Sequence, residues 1–232
     1  YADIKKSILN FRLTRGAKGS EVFLNENLSY MTQVENVIVK NSNFNKTNLE
    51  SVNPRDLKEL VALVHFGRSG TGLLHSLIDG HSDVSTLPSI YLSEYFDQLN
   101  WEKIISGGWD EMPDRFVGTY DVLFDASSKV PVQSKKKNLL FDIGQKEGMV
   151  NLGSHHNESL SVDRKIFRDE LKRLMDHYKQ LDAFGFFKLV HQAYDKAIND
   201  LNEKDLIFYH IHNPDAYAKL NFVGLAPCAK WV

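Results

Sequence analysis

The stretch that decides the fold is "ALVHFGRSGTGLLHSLIDGHSDVSTLP", residues 62–88. The stretch begins inside a short apolar run over 60–66. This run does not alternate with polar residues, as is typical of a buried strand in a parallel sheet. The glycine-punctuated turn 67–72 follows. After it, apolar residues recur on one helical face, and Gly80 stands where such a helix is expected to end; these apolar residues are Leu73, Leu74, Leu77 and Ile78. The stretch therefore predicts a strand, a turn and a helix in that order.

The rest of the chain continues the alternation of strands and helices. The Asn-rich residues 1–55 are predicted to form an N-terminal extension packed on a core domain over 56–232. Within that domain we expect a helix at 89–99, a loop-rich middle at 100–160, helices near 163–180, 184–200 and 215–222, a buried strand at 205–214 and the opening of another at 229–232. This order predicts an α/β fold, a three-layer α/β/α arrangement around a central parallel sheet.

Composition excludes some classes of partner. The chain has 232 residues, of which 42% are hydrophobic and 25% charged, with a formal net charge of −2. Such a balance gives no overall basic field, so broad binding to nucleic acid or acidic membranes is not expected. The single cysteine, Cys228, and the lack of a long apolar run in the sequence predict a cytoplasmic protein without a membrane span.

The turn at 67–72 has the layout of an anion-binding loop. A strand, a glycine turn and a helix start direct backbone N–H groups at one point, and the helix dipole adds partial positive charge there. In P-loop nucleotide triphosphatases a lysine and a Ser/Thr then hold the phosphates and Mg²⁺. Here that lysine is absent and Arg68 enters earlier in the loop, where its guanidinium can bridge two oxyanions. The pattern favours a phosphosulfate or phosphate bound without a metal.

Residues 64–88, with Arg68-Ser69-Gly70-Thr71 and the segment 77–81 (L-x-D-x-H), resemble the phosphosulfate loop of sulfotransferases that use 3′-phosphoadenosine 5′-phosphosulfate. The likeness is to the Golgi-type and bacterial branch. It implies a P-loop nucleotide-hydrolase-like sulfotransferase fold and transfer of a sulfonate to a hydroxyl on a carbohydrate, lipid or acyl chain. It assigns the donor to the loop residues, with backbone amides from Gly70 to Leu73 around the 5′-phosphosulfate; the loop residues are Gly67, Arg68, Ser69, Gly70, Thr71, Gly72 and Leu73.

The sequence departs from that family at two positions. Gly72 stands where many members carry a second Thr or Ser, and Ser89 stands where Golgi-type members place a glutamate base. The resemblance also implies that the strand opening at 229–232 leads into an Arg-x-Pro segment for the 3′-phosphate. We therefore expect the domain to be truncated before that segment.

Candidates for the acid–base chemistry lie on the strand at 205–214 and on the segment after 88. His210 and His212 alternate along the strand, so both rings are expected on one face, at the carboxyl end where ligands bind in parallel sheets. His212 is predicted to contact the sulfonate and His210 to act as base or support. Glu94 is the alternative base. The competing interpretation is that both histidines are hydrogen-bonded core residues.

Other features carry weaker predictions. Asp125 and Lys129 are candidates for the acceptor pocket. Lys135–Lys137 is predicted to be a run of solvated lysines. The pair His155 and His156 could bind a metal only with a third ligand, and the sequence offers none at a suitable spacing. Phe186, Phe187 and Tyr194 are predicted core residues. Two other functions stay open: a P-loop kinase-like phosphotransferase, which the missing lysine disfavours, and a catalytically inactive nucleotide-binding module, which Gly72 and Ser89 would fit.

Overall fold

The computed structural model describes residues 59–65, 69–92, 94–128, 149–212 and 229–232. The strands are β1 (Glu59–His65), β2 (Val84–Thr86), β3 (Val150–Leu152), β4 (Glu158–Ser159), β5 (Leu206–His212) and β6 (Lys230–Trp231). The α-helices are α1 (Thr71–Ile78), α2 (Gln98–Ile105), α3 (Met112–Thr119), α4 (Arg164–Met175) and α5 (Ala183–Ala197). The predicted N-terminal extension at 1–55 and the predicted helix at 215–222 lie outside the described residues.

The main sheet has four strands in the order β2-β5-β1-β6, and every neighbouring pair is parallel. β1 and β5 pair along their whole length, from Glu59 opposite Leu206 to His65 opposite His212. β3 and β4 form a separate antiparallel pair. The predicted parallel α/β architecture is therefore confirmed. Its two central strands are β1, which precedes the predicted anion loop, and β5, which carries His210 and His212.

The sheet has helices on both faces. Alternate residues of β1 and β5 point into the main core with α2, α3, α4 and α5, as Ala62 and Tyr209 do. The intervening residues, such as Leu63 and Phe208, belong to a smaller apolar cluster against which Ile78 of α1 packs. We call these sides the main-core face and the α1 face. Both strands are buried on both sides, which explains their unalternating apolar sequence.

Aromatic rings fill the centre of the main core. Phe187 of α5 contacts Phe96 and Tyr209 at centroid distances of 5.1 and 5.0 Å. The predicted core residues Phe186, Phe187 and Tyr194 are all buried, which confirms that prediction. The Tyr209 hydroxyl donates to the Leu92 carbonyl at 2.8 Å, so the polar tip of a core ring is also satisfied.

Aspartates fix the starts of three helices. The Asp97 carboxylate accepts the Leu99 amide at the start of α2. Asp163 and Asp182 cap α4 and α5 in the same way. The prediction of one helix over 89–99 is wrong, because Ser89–Leu92 is a short 3₁₀ turn and the Asp97 cap starts a new helix. The loop-rich middle is also corrected, because α2 and α3 lie within it.

A buried polar cluster joins α5 to β2. The Ser85 hydroxyl donates to the Asp195 carboxylate at 2.8 Å and lies 3.0 Å from Nδ1 of His191. All three residues are buried. A buried carboxylate is costly unless it is hydrogen-bonded, and the Ser85 hydroxyl supplies such a bond to Asp195. The cluster therefore fixes the position of α5 on the sheet.

Candidate functional site

The candidate site lies at the carboxyl edge of the sheet, where β1 and β5 end side by side. His65 is the last residue of β1 and pairs with His212, the last residue of β5. The chain leaves β1 and enters α1 at Thr71. In open parallel sheets, ligands bind beyond the carboxyl ends of the strands, so this is the edge where the anion loop was expected.

Gly70 starts α1 from a left-handed conformation, with φ of 79°. Glycine adopts this conformation without the steric cost that a side chain brings. A Cβ built on Gly70 or Gly72 would meet no described atom within 4 Å. The Leu73 amide donates to the Gly70 carbonyl at 3.1 Å. Of the amides that the sequence assigned to the anion, Leu73 therefore already has an acceptor.

The helix start is also tied to the strand by a side chain. The Thr71 hydroxyl lies 2.8 Å from Nδ1 of His65. The inward side of α1 continues one turn later with His75 and then with Ile78, which packs on the sheet. The leucines of α1 face outward: Leu73 and Leu77 are 69% and 74% exposed. Of the apolar residues that predicted this helix, Ile78 packs on the sheet, whereas Leu73 and Leu77 face outward.

Three imidazoles meet between α1 and the sheet, and we call His65, His75 and His210 the histidine cluster. Nδ1 of His75 lies 3.0 Å from Nε2 of His210, which is a hydrogen bond. The rings of His65 and His210 pack edge to face with centroids 5.1 Å apart. His65 and His210 are buried. The cluster therefore links β1, α1 and β5 directly beneath the turn that carries Gly70.

Burial lowers the pKa of His75 below its ordinary value of 6.5, and the nearby Asp79 carboxylate offsets part of that effect. His75 is therefore neutral at pH 7, and its hydrogen bond with His210 needs only one shared hydrogen. This keeps positive charge on His75 out of a region where His65 and His210 already sit close by.

The lowered pKa of His75 predicts that the free energy of unfolding falls as the pH drops below 6.5. Below that pH the unfolded chain protonates His75 more readily than the folded protein does, so proton uptake favours unfolding until the pH passes the folded pKa. We expect His75→Gln to lose less stability than the wild type between about pH 7.5 and about pH 5.5, measured by urea denaturation. His177→Gln, at an exposed position, is the control. An equal loss of stability in His75→Gln and the wild type would contradict the assignment.

The residues predicted for the site are distributed as follows. Gly67 and Arg68 lie outside the described residues. Ser69 and Gly72 are exposed and Thr71 is half-buried at the turn. His210 is buried on the α1 face, against Phe208 and the rest of the histidine cluster. The backbone of His212 ends β5 beside His65, as expected for two strands that deliver their ends to one crevice.

Glu94 directly precedes Tyr95 and Phe96, which belong to the main core. Tyr120 and Tyr209 belong to the main core. Burial raises the pKa of both tyrosines, and the negative charge of Glu94 raises the pKa of each further. His210 follows Tyr209 in β5 and therefore points to the opposite face. His210 thus faces α1, whereas the charge of Glu94 acts on two tyrosines of the main core.

Two residues of the site were not found by sequence reasoning, His65 and His75. A signal for each exists in the sequence. His65 lies two residues after Leu63 and so points to the same face of β1. His75 lies one helical turn after Thr71, so both side chains share one face of α1. Neither relation could be used without knowing which side of α1 meets the sheet.

The remaining candidates contribute little to this edge. Asp125 makes an isolated bridge with Ser161 and an ion pair of 3.6 Å with Arg164. Lys129 and Lys135–Lys137 lie outside the described residues. His155 and His156 are exposed in a turn between β3 and β4. Among the described residues no group of His, Cys, Asp or Glu suits a metal ion, and the histidine cluster does not suit one either.

None of the helices in the described part of the chain is long and apolar enough to cross a membrane. No known protein-family profile, curated protein sequence or solved structure matches the chain.

Proposed function

We propose that this protein is a sulfotransferase that moves a sulfonate from 3′-phosphoadenosine 5′-phosphosulfate to a hydroxyl acceptor. The observation that carries the proposal is the β1–turn–α1 unit at the carboxyl edge of a parallel sheet, with Gly70 in the left-handed conformation at the helix start. The Arg68-Ser69-Gly70-Thr71 sequence of that turn supports the choice of a phosphosulfate.

The chemistry of the turn fits an oxyanion. The first amides of an α-helix have no acceptor within the helix, and here no described atom lies within 4 Å of a Cβ built on Gly70 or Gly72. Arg68 supplies a forked cation that can span two oxyanions. The lysine that holds the β- and γ-phosphates in nucleotide triphosphatases is absent from the sequence. These features together favour a sulfonate or phosphate donor over a nucleoside triphosphate.

Transfer requires a deprotonated acceptor hydroxyl, in-line attack on sulfur and positive charge near the bridging oxygen. We assign the proton to His210, with Glu94 as the alternative. His210 lies on the α1 face, the same face as Thr71, whereas Glu94 acts on the main-core tyrosines. His212 is assigned to the sulfonate and Arg68 to the bridging oxygen. In this scheme the hydroxyl oxygen bonds to sulfur, the sulfur–oxygen bond to the nucleotide breaks, and the acceptor proton moves to the base.

Ligand binding tests the proposal directly. We expect adenosine 3′,5′-bisphosphate to raise the melting temperature without Mg²⁺, because a ligand at 100 times its Kd stabilises a protein by about 2.7 kcal/mol. For a chain of this size that is a shift on the order of 5–10 °C. The measurement is a thermal melt with and without EDTA, followed by transfer of radiolabelled sulfonate to a panel of hydroxylated acceptors.

The controls separate the competing functions. Stabilisation by Mg-ATP alone would contradict the proposal and favour a kinase-like phosphotransferase. Binding of the bisphosphate without transfer to any acceptor would favour an inactive nucleotide-binding module. Adenosine, which lacks both phosphates, is the matched ligand control and should give no shift.

A further inference from the structure

The hydrogen bond between His65 and Thr71 joins the end of β1 to the first residue of α1. Nδ1 of His65 and the Thr71 hydroxyl oxygen are 2.8 Å apart. His65 is only 6% exposed, and Thr71 is half-buried. The bond therefore lies between the histidine cluster and the start of α1. Nothing in the sequence motif of the turn assigns a role to His65.

This bond has two forms with different consequences for Thr71. A hydroxyl carries one hydrogen, and the Nδ1 of a neutral imidazole is either a donor or an acceptor. If Nδ1 accepts, the Thr71 hydrogen points at His65 and cannot reach a ligand. If Nδ1 donates, Thr71 accepts with a lone pair and its own hydrogen is free to point into the turn. An oxyanion offers only acceptors, so it needs the second form.

The surroundings hold the His65 ring in place. Its edge-to-face contact with His210, with centroids 5.1 Å apart and planes at 81°, restricts the ring from one side. His210 is itself tied to His75 of α1 at 3.0 Å. The His65 ring therefore keeps Nδ1 aimed at Thr71, and the choice that remains is which nitrogen carries the hydrogen.

We propose that His65 is a positioning residue that sets the direction in which the Thr71 hydroxyl donates, and so controls whether Thr71 binds the anion. The inference rests on the proposed anion site at the turn. In the bound state Nδ1 of His65 donates to Thr71, and Thr71 donates to an oxygen of the sulfonate or phosphate. His65 itself makes no contact with the ligand.

A double-mutant cycle tests this role. Asparagine at position 65 keeps both a donor and an acceptor near the place of Nδ1, whereas aspartate offers only an acceptor and holds the Thr71 hydrogen. The variants are His65→Asn and His65→Asp, each with and without Thr71→Val. The probes are pyrophosphate and adenosine 3′,5′-bisphosphate, and the measured quantity is Kd by titration calorimetry.

We expect Thr71→Val to weaken binding roughly tenfold in the wild type and in His65→Asn, as for loss of one hydrogen bond to a charged group. In His65→Asp the same change should have no effect, because Thr71 no longer donates to the anion. The added negative charge of the aspartate is present with and without Thr71→Val and therefore cancels. An equal loss in all three backgrounds would overturn the inference, as would no loss in the wild type.

A buried aspartate can prevent folding, so a second measurement uses the wild-type protein. Nitrogen-15 NMR of the histidines reports whether Nδ1 of His65 carries a hydrogen. We expect a protonated Nδ1 when pyrophosphate is bound, and an unprotonated one would overturn the inference. Binding of pyrophosphate but not of the nucleotide would overturn the proposed function while the cycle still decides the role of His65. Binding of neither probe would overturn both.

Discussion

Phe187→Ala should lower the free energy of unfolding by about 3–5 kcal/mol, the usual loss for a buried phenylalanine. Phe187 is buried, and its ring meets those of Tyr95, Phe96, His191 and Tyr209 at centroid distances of 5.3, 5.1, 4.7 and 5.0 Å. Alanine would remove all four contacts and leave a cavity that the rings cannot close without leaving their own partners. Urea denaturation should show the loss as a lower midpoint, and the melting temperature should fall on the order of 10 °C.

The matched control is Phe184→Ala on the same helix. Phe184 is half-buried, and its ring lies under the Lys188 ammonium at 4.6 Å from the centroid. Truncation there should cost clearly less than at Phe187, because less apolar area leaves water on folding. Equal losses at the two positions, or a loss below about 1 kcal/mol at Phe187, would mean that the aromatic centre does not stabilise the sheet as described.

The large effect at Phe187 has a consequence for the site. Tyr209, one of its partners, precedes His210 in β5. Successive residues of a strand point to opposite faces, so packing on the main-core face fixes the backbone that presents His210 to α1. The stability of the core and the geometry of the histidine cluster are thus set by the same strand.

The strands and long helices could be predicted from sequence because each has a local signal. β1 and β5 are unbroken apolar runs, and they lie where 60–66 and 205–214 were predicted. α4 and α5 begin directly after Asp163 and Asp182, whose side chains accept helix amides. The prediction of one helix over 89–99 was wrong, because the signal for a helix start lies inside the segment. Its capping residue, Asp97, lies near the end of the segment and starts a new helix there.

The packing of α1 could not be predicted, because periodicity shows that a helix has two sides without showing which side meets the sheet. The leucine row, including Leu73 and Leu77, was the stronger apolar signal, yet it points outward. The inward row instead carries Thr71, His75 and Ile78, which meet His65, His210 and the small apolar cluster. The histidine cluster depends on that orientation and on β5 lying beside β1, and neither is a property of one segment.

The surroundings of Glu94 could not be predicted for a similar reason. The order of strands is not a property of one segment, so the residues near Glu94 depend on how the chain turns after β2. That turn is the 3₁₀ segment Ser89–Leu92, which contacts β5 through the hydrogen bond from Tyr209 to Leu92. The chain then continues through Glu94 into Tyr95 and Phe96 of the main core, and the charge of Glu94 raises the pKa of Tyr120 and Tyr209.

Arg68→Ala should lower turnover far more than it weakens binding of the sulfonate donor, if the proposed function is correct. Positive charge is needed most on the bridging oxygen as the sulfur–oxygen bond breaks, so the guanidinium stabilises the transition state more than the bound donor. Removing one preorganised donor of this kind costs on the order of 3 kcal/mol, or about 100-fold in kcat. The measurement is kcat and KM with saturating acceptor, together with the Kd for adenosine 3′,5′-bisphosphate.

Two further variants make the result at Arg68 specific. Arg68→Lys keeps the charge but loses the fork, so it should recover only part of the turnover. Arg173→Ala removes an arginine that pairs with Glu170 on the exposed side of α4, and it should leave kcat unchanged. If Arg68→Ala instead kept its kcat and bound the bisphosphate more weakly, Arg68 would act only in holding the donor. The charge on the bridging oxygen would then need another partner, and His212, at the end of β5 opposite His65, is the next residue to replace.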